Sequence, residues 1–327
     1  MIYTDRLYGK FTIEEPVILD LIKSKSLVRL KGIDQAGYLK PYYPKITLTR
    51  FEHSLGVWLL LKKFDASREE QIAGLIHDVS HSAFSHCIDY VFKTEGQKTH
   101  EHQDKVFTGF VKKSDIPLIL RKYRIDLNYI LNEKNFPLKE NKLPDLCADR
   151  LDYSLRSAFV FGEIGKSDLN YFLTHLTTTN RTWVFKDYRS AQKYADLFRM
   201  LNRRYYSGFP SALMFSTVGR YVRHALNRKY LSYHDLYTTD REVIRKINRF
   251  LSQDQKLRTL WERMNYRIKA TDNPHDFDYR AYCKSRLVDP LCYSRGKLKR
   301  VSEINPAWKK IIQRESKPKA YFLKFAA

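Results

Sequence analysis

The chain has 327 residues, of which 43% are hydrophobic and 14% aromatic, enough to bury a large core, so intrinsic disorder is not expected. Its 59 Lys and Arg residues against 36 Asp and Glu give a formal net charge of +23, which predicts a negatively charged partner, either a nucleotide or nucleic acid. Four cysteines without CxxC spacing are too few for a disulfide framework. Because no run of about 18 apolar residues and no apolar leader occurs, we expect a cytoplasmic protein that does not enter a membrane.

The N-terminal part of the chain predicts a β hairpin followed by helices. Residues 2 to 13, IYTDRLYGKFTI, predict two short strands around a turn, and Pro16 marks the first turn of a helix. Apolar residues then recur at spacings of three and four, which is typical of amphipathic helices. TWVFKDY predicts a single strand, before a long helix from about Ser190 to Tyr206 and another that begins at Pro210. Residues 240–252 and 254–268 also have a helical pattern.

The last part of the chain is more basic and less regular. Residues 266–327 contain 15 Lys or Arg and 6 Asp or Glu, without a clear hydrophobic period. TDNPHDFD has the composition of a linker, whereas AYCKSRLV and KAYFLKF predict strands. We therefore predict a main domain over residues 1–268 and a minor, basic α+β C-terminal appendage over residues 269–327.

Histidines are concentrated in one region. Six of the ten are His53, His77, His81, His86, His100 and His102. In a helix, His77 and His81 would share one face, and His86 and Asp89 would share a face of the next segment, so their side chains can converge. Neutral imidazole with carboxylate suits first-row divalent metals. A lone histidine on a helix is more often structural than a ligand, so only the spaced set indicates a metal site.

Three blocks resemble the HD-domain phosphohydrolases, and within them the dNTP triphosphohydrolases typified by the SAM-and-HD-domain enzyme and bacterial dGTPase-like proteins. The blocks are TRFEHSLGV (Thr49 to Val57), IAGLIHDVSHSAFSH (Ile72 to His86) and CADRLDYSLR (Cys147 to Arg156). The central block is the most specific, and a looser likeness extends to about Leu226. The resemblance implies a mainly α fold, with an HD-domain helical core and a small N-terminal β hairpin.

The resemblance implies that His53, His77, Asp78 and Asp149 ligate one divalent metal ion. The ion would be Mn, Fe, Zn, Ni, Co or Mg, because a His and Asp set accepts several metals according to availability. Such an ion polarises a phosphoryl oxygen and lowers the pKa of a bound water. Arg50 matches the family's phosphate-binding arginine, and its planar guanidinium suits bidentate contact with phosphate.

A second set of residues lies beside the phosphates in the resembled family, and its expected role is proton transfer. Its members here are His81, His86, Asp89 and His100. The sequence does not decide which of the three histidines is the acid or base. The resemblance further implies substrate contacts from Arg50, Gln35, Arg150, Tyr153, Arg203 and Tyr206. His102 has no counterpart in the family and is expected at the surface.

Several positions depart from the family's pattern. Arg150 replaces a usual lysine, and Phe209 stands near the place of another lysine. Ala36 replaces a common leucine, so we expect weaker exclusion of a ribose 2′-hydroxyl. Ser157 stands where an aspartate usually recognises the sugar 3′-hydroxyl, which leaves room for a substrate substituted at that position. The chemistry is therefore better specified than the substrate.

Three functions are compatible with these features. The first is hydrolysis of a nucleoside triphosphate to a nucleoside and triphosphate. The second is a phosphodiesterase or nuclease that acts on nucleic-acid ends or cyclic nucleotides, which the positive charge and Ser157 both permit. The third, in a different class, is a basic nucleic-acid-binding protein with a vestigial HD fold, which the intact ligand set argues against. Oligomers are common in the resembled family, so a homo-oligomer is a further expectation.

Overall fold

The fold is mainly helical, as predicted, with small sheets that involve both ends of the chain. The computed structural model describes residues 1–92 and 102–326. The predicted site residue His100 lies outside these ranges. Among the helices in the described ranges, none combines the length and apolar character that a membrane span requires.

The N-terminal hairpin forms as the sequence predicts. Strands β1 (Ile2–Asp5) and β2 (Gly9–Thr12) pair antiparallel. Gly9 has a φ of +80°, a conformation that glycine adopts without steric cost in such a turn. Helix α1 (Pro16–Lys23) follows, with proline in its first turn and its apolar face buried.

Thirteen further helices and two strands make up the rest of the body within the described residues. The helices before the strands are α2 (Lys25–Arg29), α3 (Arg50–Lys63), α4 (Arg68–Ile76), α5 (Asp89–Phe92), α6 (His102–Lys113), α7 (Ile116–Lys122), α8 (Leu127–Leu131), α9 (Ala148–Val160) and α10 (Lys166–His175). Strands β3 (Leu176–Thr179) and β4 (Thr182–Phe185) come next, and helices α11 (Tyr188–Leu201), α12 (Phe209–Asn227), α13 (Asp240–Asn248) and α14 (Gln255–Met264) follow.

Helix α3 runs through the centre of the body. Between Arg50 and Leu61, every residue except Glu52 is buried. A capping box defines its start, because Thr49 Oγ1 accepts from the Glu52 backbone N–H at 3.2 Å and the Glu52 carboxylate accepts from the Thr49 N–H at 3.2 Å. The first turn, with Arg50 and His53, is thus held inside the protein.

One local prediction is wrong. Helix α4 ends at Ile76, so His77 and His81 do not share a helix face. The chain instead turns and passes through Phe84 and Ser85, whose φ angles of 61° and 44° are incompatible with a right-handed helix. The long helix predicted from about Ser190 to Tyr206 is confirmed in extent, since the chain is α-helical to Leu201 and continues as a π turn over residues 202–206.

The C-terminal region is built into the body. Its elements are β5 (Ala270–Asp272), β6 (Tyr279–Cys283), β7 (Leu291–Ser294), β8 (Lys297–Arg300), α15 (Val301–Ile304), α16 (Pro306–Glu315) and β9 (Lys319–Phe325). Strands β5 and β6 flank β9 in one sheet, whereas β7 pairs parallel with β4 in a sheet ordered β3-β4-β7-β8. Trp308 of α16 packs in the same apolar cluster as Phe198 of α11. The boundary at residues 268 and 269 stays a prediction, but the region beyond it shares a sheet and a core with the body.

Replacing Trp308 with alanine should therefore destabilise the whole protein. The side chain is 1% exposed, and loss of a buried tryptophan costs about 3–5 kcal/mol. Urea unfolding should show one transition, at a lower urea concentration than in the wild type. Probes in the body and in the C-terminal region should report the same transition. Leu118→Ala is the control, since Leu118 is 66% exposed. A variant in which only the C-terminal region melts early would contradict a shared core.

Candidate metal centre

Two histidines and a carboxylate meet where α3, the end of α4 and the start of α9 come together. His53 lies in α3, His77 directly follows α4, and Asp149 lies in the first turn of α9. The two Nε2 atoms are 3.3 Å apart, and Asp149 Oδ1 lies 2.8 Å from Nε2 of His53 and 3.5 Å from Nε2 of His77. One ligand atom from each residue lies within 4.8 Å of the others. This donor set can hold one divalent ion.

Hydrogen bonds to the opposite ring nitrogens direct both Nε2 atoms at this site. Nδ1 of His77 donates to the Gly74 carbonyl at 2.7 Å, and Nδ1 of His53 donates to Asp152 Oδ2 at 2.8 Å. An acceptor on Nδ1 selects the tautomer whose Nε2 can bind a metal. Burial disfavours a charged His53, but hydrogen bonds to Asp149 and Asp152 outweigh it and raise the pKa of His53 to about 9. The surroundings of Nε2 therefore favour positive charge, which fits a divalent cation.

Asp78, the fourth predicted ligand, lies beside this three-residue group. Its Oδ1 is 3.3 Å from Nε2 of His77, and its Oδ2 is 3.8 Å from Nε2 of His53. Arg50 Nη1 donates to Asp78 Oδ2 at 2.7 Å. Although the carboxylate is buried, the Arg50 cation holds the pKa of Asp78 well below its usual range. Asp78 is thus ionised and has Oδ1 turned toward a histidine of the group.

Asp152 is a site residue that the sequence interpretation missed. Besides its bond from His53, it receives two hydrogen bonds from Arg156, Nε to Oδ2 and Nη2 to Oδ1, each at 2.9 Å. The Tyr8 hydroxyl donates to Oδ1 at 2.8 Å, and Arg156 Nη1 donates to Asp5 Oδ2 at 3.1 Å. Burial favours protonation, but Arg156 and His53 hold the pKa of Asp152 below its usual range. The N-terminal hairpin is therefore linked to a metal-ligand candidate by a buried network.

The network leaves no room for a side chain at position 56, where the chain has glycine. A Cβ at position 56 would lie 2.0 Å from Asp152 Oδ1 and 2.2 Å from Arg156 Nη2. Both of those side chains are fully buried and hydrogen-bonded, so neither can move aside cheaply. Glycine thus permits the close approach of α9 to α3 that places the carboxylate on His53.

The second cluster, defined here as His81, His86 and Asp89, lies next to Asp78. His81 Nε2 is 3.3 Å from Asp78 Oδ1, and the rings of His81 and His86 meet edge to face at 5.3 Å. Burial and the Arg50 cation lower the pKa of His81 to about 4, so His81 is neutral at neutral pH. His86 Nδ1 is 3.8 Å from Asp89 Oδ2, and burial raises the pKa of Asp89 to about 7. Within this cluster, Asp89 is therefore better suited than His81 to exchange a proton near neutral pH.

His102, expected at the surface, is only partly exposed and lies at the edge of the second cluster. Its backbone N–H donates to Asp89 Oδ1 at 3.1 Å. Its ring stacks on Phe92 at 4.9 Å between centroids. The residue thus helps to hold Asp89 in place.

Four of the residues predicted to contact the substrate, Gln35, Tyr153, Arg203 and Tyr206, lie in two places. The Gln35 carbonyl accepts from Arg50 Nη2 at 2.6 Å, while its side-chain Oε1 is buried without a hydrogen-bond partner in the part of the chain described. Tyr153 and Tyr206, here called the tyrosine pair, meet edge to face at 5.6 Å, and the Tyr153 hydroxyl is also buried without a partner among the described residues. Arg203 is exposed. Unpaired buried polar atoms are uncommon, so Gln35 and Tyr153 remain candidates for ligand contacts.

Arg150 is engaged with acceptors of the protein itself. Its Nη1 donates to the Asp145 carbonyl at 2.6 Å and to Cys147 Sγ at 3.1 Å, and its Nη2 is 3.6 Å from Glu140 Oε1. Glu140 and Cys147 form a second ligand-like group with Asp149. The guanidinium already supplies that group with positive charge, so it does not require a second ion. Substrate contact by Arg150 stays a prediction.

Comparison with known proteins places the same region in a described family. The family model of the HD domain matches residues 50–156, the interval from the start of α3 into α9. The uncharacterized protein YdhJ of Bacillus subtilis is 33% identical over 89% of this chain and 88% of its own length. The metal-dependent phosphohydrolase cns2 of Cordyceps militaris is 28% identical over 93% of this chain and 89% of its own.

Two further likenesses are more distant. The deoxynucleoside triphosphate triphosphohydrolase SAMHD1 of Mus musculus is 28% identical over 37% of this chain and 21% of its own length. The crystal structure of a phosphohydrolase from Bacteroides thetaiotaomicron matches with a TM-score of 0.70 and 18% identity, and the match covers 100% of both chains. The structural likeness extends the shared fold to the whole chain.

Proposed function

This chain belongs to the HD-domain family of metal-dependent phosphohydrolases, and we propose that it hydrolyses nucleoside triphosphates to a nucleoside and triphosphate. The observation that carries the proposal is the convergence of His53, His77 and Asp149 on one volume, with Asp78 and Arg50 beside it. The positive net charge supports a polyanionic substrate. The likeness to SAMHD1 supports a nucleotide.

His53, His77, Asp149 and Asp78 would hold the metal ion. When bound, such an ion supplies Lewis acidity toward a phosphoryl oxygen and lowers the pKa of a coordinated water. Arg50 keeps Asp78 ionised and oriented through the bond at 2.7 Å. His53, Asp78 and Arg50 are buried, which strengthens charge interactions at the reacting phosphate.

His86 and Asp89 would handle the proton of the leaving group. A carboxyl whose pKa is about 7 is populated in both protonation states near neutral pH, which suits general acid and base catalysis. His81 would contribute as a neutral hydrogen-bonding residue, since its pKa of about 4 leaves it uncharged.

Product analysis tests the reaction. Metal-loaded protein should convert a nucleoside triphosphate to nucleoside and inorganic triphosphate in equal amounts, resolved by ion-exchange chromatography. Release of nucleoside monophosphates from an oligonucleotide, with nucleoside triphosphates untouched, would instead establish the nuclease alternative. Steeply salt-dependent nucleic-acid binding without hydrolysis of any phosphate ester would establish the binding-protein alternative.

We also expect weak discrimination between ribose and deoxyribose. Ala36 follows Gln35, has a short side chain and packs against the apolar cluster that includes Met214 and Phe84. Without a bulky wall, rejection of one extra hydroxyl is worth little binding energy, and kcat/KM for ATP should lie within about tenfold of that for dATP. Ala36→Leu is the matched variant and should increase the preference for dATP. A strong deoxy preference of the unmodified protein would refute this expectation.

A further inference from the structure

The chain segment over residues 283–287, which begins at the last residue of β6, lies between the second cluster and the tyrosine pair. At one end, the hydroxyl of Tyr90, the neighbour of Asp89, is 3.8 Å from Cys283 Sγ. Further along, Asn202 Nδ2 donates to Ser285 Oγ at 2.9 Å. Because Asn202 begins the π turn that ends at Tyr206, this segment is anchored to both parts of the candidate site.

The backbone of the segment orients two basic side chains in the same direction. Its odd-numbered residues are buried, whereas the even-numbered Lys284 and Arg286 are partly exposed, the alternation of an extended chain. The backbone N–H of Arg286 donates to Asn202 Oδ1 at 3.0 Å, which secures its position. Two cations thus project together on one side of a fixed segment.

The charges of these side chains act on both parts of the site. Burial raises the pKa values of Asp89, Tyr153 and Tyr206, and in each case the Arg286 cation opposes the rise. Lys284 opposes the rise at Asp89 as well. The segment therefore adds positive charge to the space between the second cluster and the tyrosine pair.

Two of the three arginines nominated from the sequence are engaged within the protein, and the third, Arg203, is exposed. Arg50 directs its guanidinium nitrogens to Asp78, Ser85 and Gln35, and Arg150 is bonded to acceptors of its own loop. Within residues 1–92 and 102–326, the guanidinium of Arg286 makes neither a hydrogen bond nor an ion pair. A planar cation with all its donors available is suited to bidentate contact with a phosphate.

We propose that Arg286, with Lys284 beside it, binds the terminal phosphates of the substrate, those that leave as triphosphate. The proposal rests on the proposed function for the identity of the leaving group. The chemistry recognised is a polyphosphate chain, and the residues that recognise it come from the C-terminal region rather than from the three HD blocks.

Binding of inorganic tripolyphosphate to the metal-loaded full-length protein tests this directly, by isothermal titration calorimetry. Arg286→Gln should weaken binding by about tenfold or more, and Lys284→Gln by several-fold, as expected when charged hydrogen bonds are lost. Arg286→Lys keeps the charge but not the bidentate geometry, so it should weaken binding less than Arg286→Gln does. Arg280→Gln is the control, since it removes the same charge from β6, just before the segment, where Arg280 is exposed and stacks on Tyr282. Thermal unfolding of each variant confirms that it is folded.

The outcomes separate this proposal from the proposed function. If the wild type hydrolyses no nucleoside triphosphate yet binds tripolyphosphate through Arg286, the inference stands and the proposed function fails. Unchanged binding in Arg286→Gln, or no binding of tripolyphosphate by the wild type, overturns the inference whatever the activity. The inference is also overturned if Arg286→Gln loses affinity for a single-stranded oligonucleotide but not for tripolyphosphate. The ligand of Arg286 would then be a phosphodiester backbone.

Discussion

His77→Ala is expected to remove metal binding and nearly all hydrolysis of phosphate esters. His77 contributes one of the three ligand atoms that lie within 4.8 Å of one another, and alanine offers no replacement. Metal ions supply several kcal/mol of transition-state stabilisation, and about 1.4 kcal/mol corresponds to tenfold in rate. We therefore expect kcat/KM to fall by about a thousandfold or more. Metal content by mass spectrometry after dialysis should fall from about one equivalent to near zero.

The matched control is His275→Ala. His275 is exposed, and among the described residues its hydrogen bond is the one from its backbone N–H to Asn273 Oδ1, so its removal should leave both metal content and kcat/KM unchanged. Retention of a full metal equivalent and activity by His77→Ala would show that the ion lies elsewhere. Loss of both in His275→Ala would point to nonspecific damage rather than to a ligand.

Asp152→Asn is expected to weaken metal binding and to destabilise the fold at the same time. The amide cannot neutralise Arg156, whose guanidinium is fully buried, and breaking a buried ion pair costs about 3–5 kcal/mol. It also weakens the acceptor for His53 Nδ1, and loss of such an outer partner typically costs roughly 10–100-fold in metal affinity. Urea unfolding of the metal-free protein measures the first effect, and competition with a chelator measures the second.

Asp276→Asn serves as the comparison, because Asp276 pairs with Lys324 at 2.7 Å on the surface. An exposed pair contributes about 0–1 kcal/mol, so this variant should resemble the wild type in both measurements. If Asp152→Asn lost stability but kept its metal affinity, the carboxylate would hold only the helices together and would have no role in orienting His53.

The helices were predictable because their apolar periodicity is local. The hairpin, α1 and the strand at Thr182 also follow from short-range signals such as Gly9 and Pro16. The sheet that joins β4 to β7 was not predictable, since parallel pairing of residues far apart in sequence leaves no periodic trace. The end of α4 at Ile76 was also missed, because the apolar pattern continues beyond it while the backbone turns.

The candidate metal ligands were nominated from three motif blocks, but the residues that orient them were less visible. Asp152 carried a usable signal, since it follows Asp149 by three positions and so shares its helix face. Its partners Tyr8 and Asp5 carried none, because nothing in a short hairpin indicates which distant side chain it will meet. Arg286 was hidden for the same reason, in a region that the sequence interpretation treated as a separate appendage.

The link between Asp5 and Arg156 also constrains the order of events in folding. These partners are 151 residues apart, so the loop closure that joins them requires nearly half of the chain to have been synthesised and collapsed. His53 is synthesised before this loop can close, but the final orientation of its ring depends on the closed loop. An emerging N-terminal fragment thus holds the histidines without the geometry to select an ion, and metal capture should follow core assembly rather than start it.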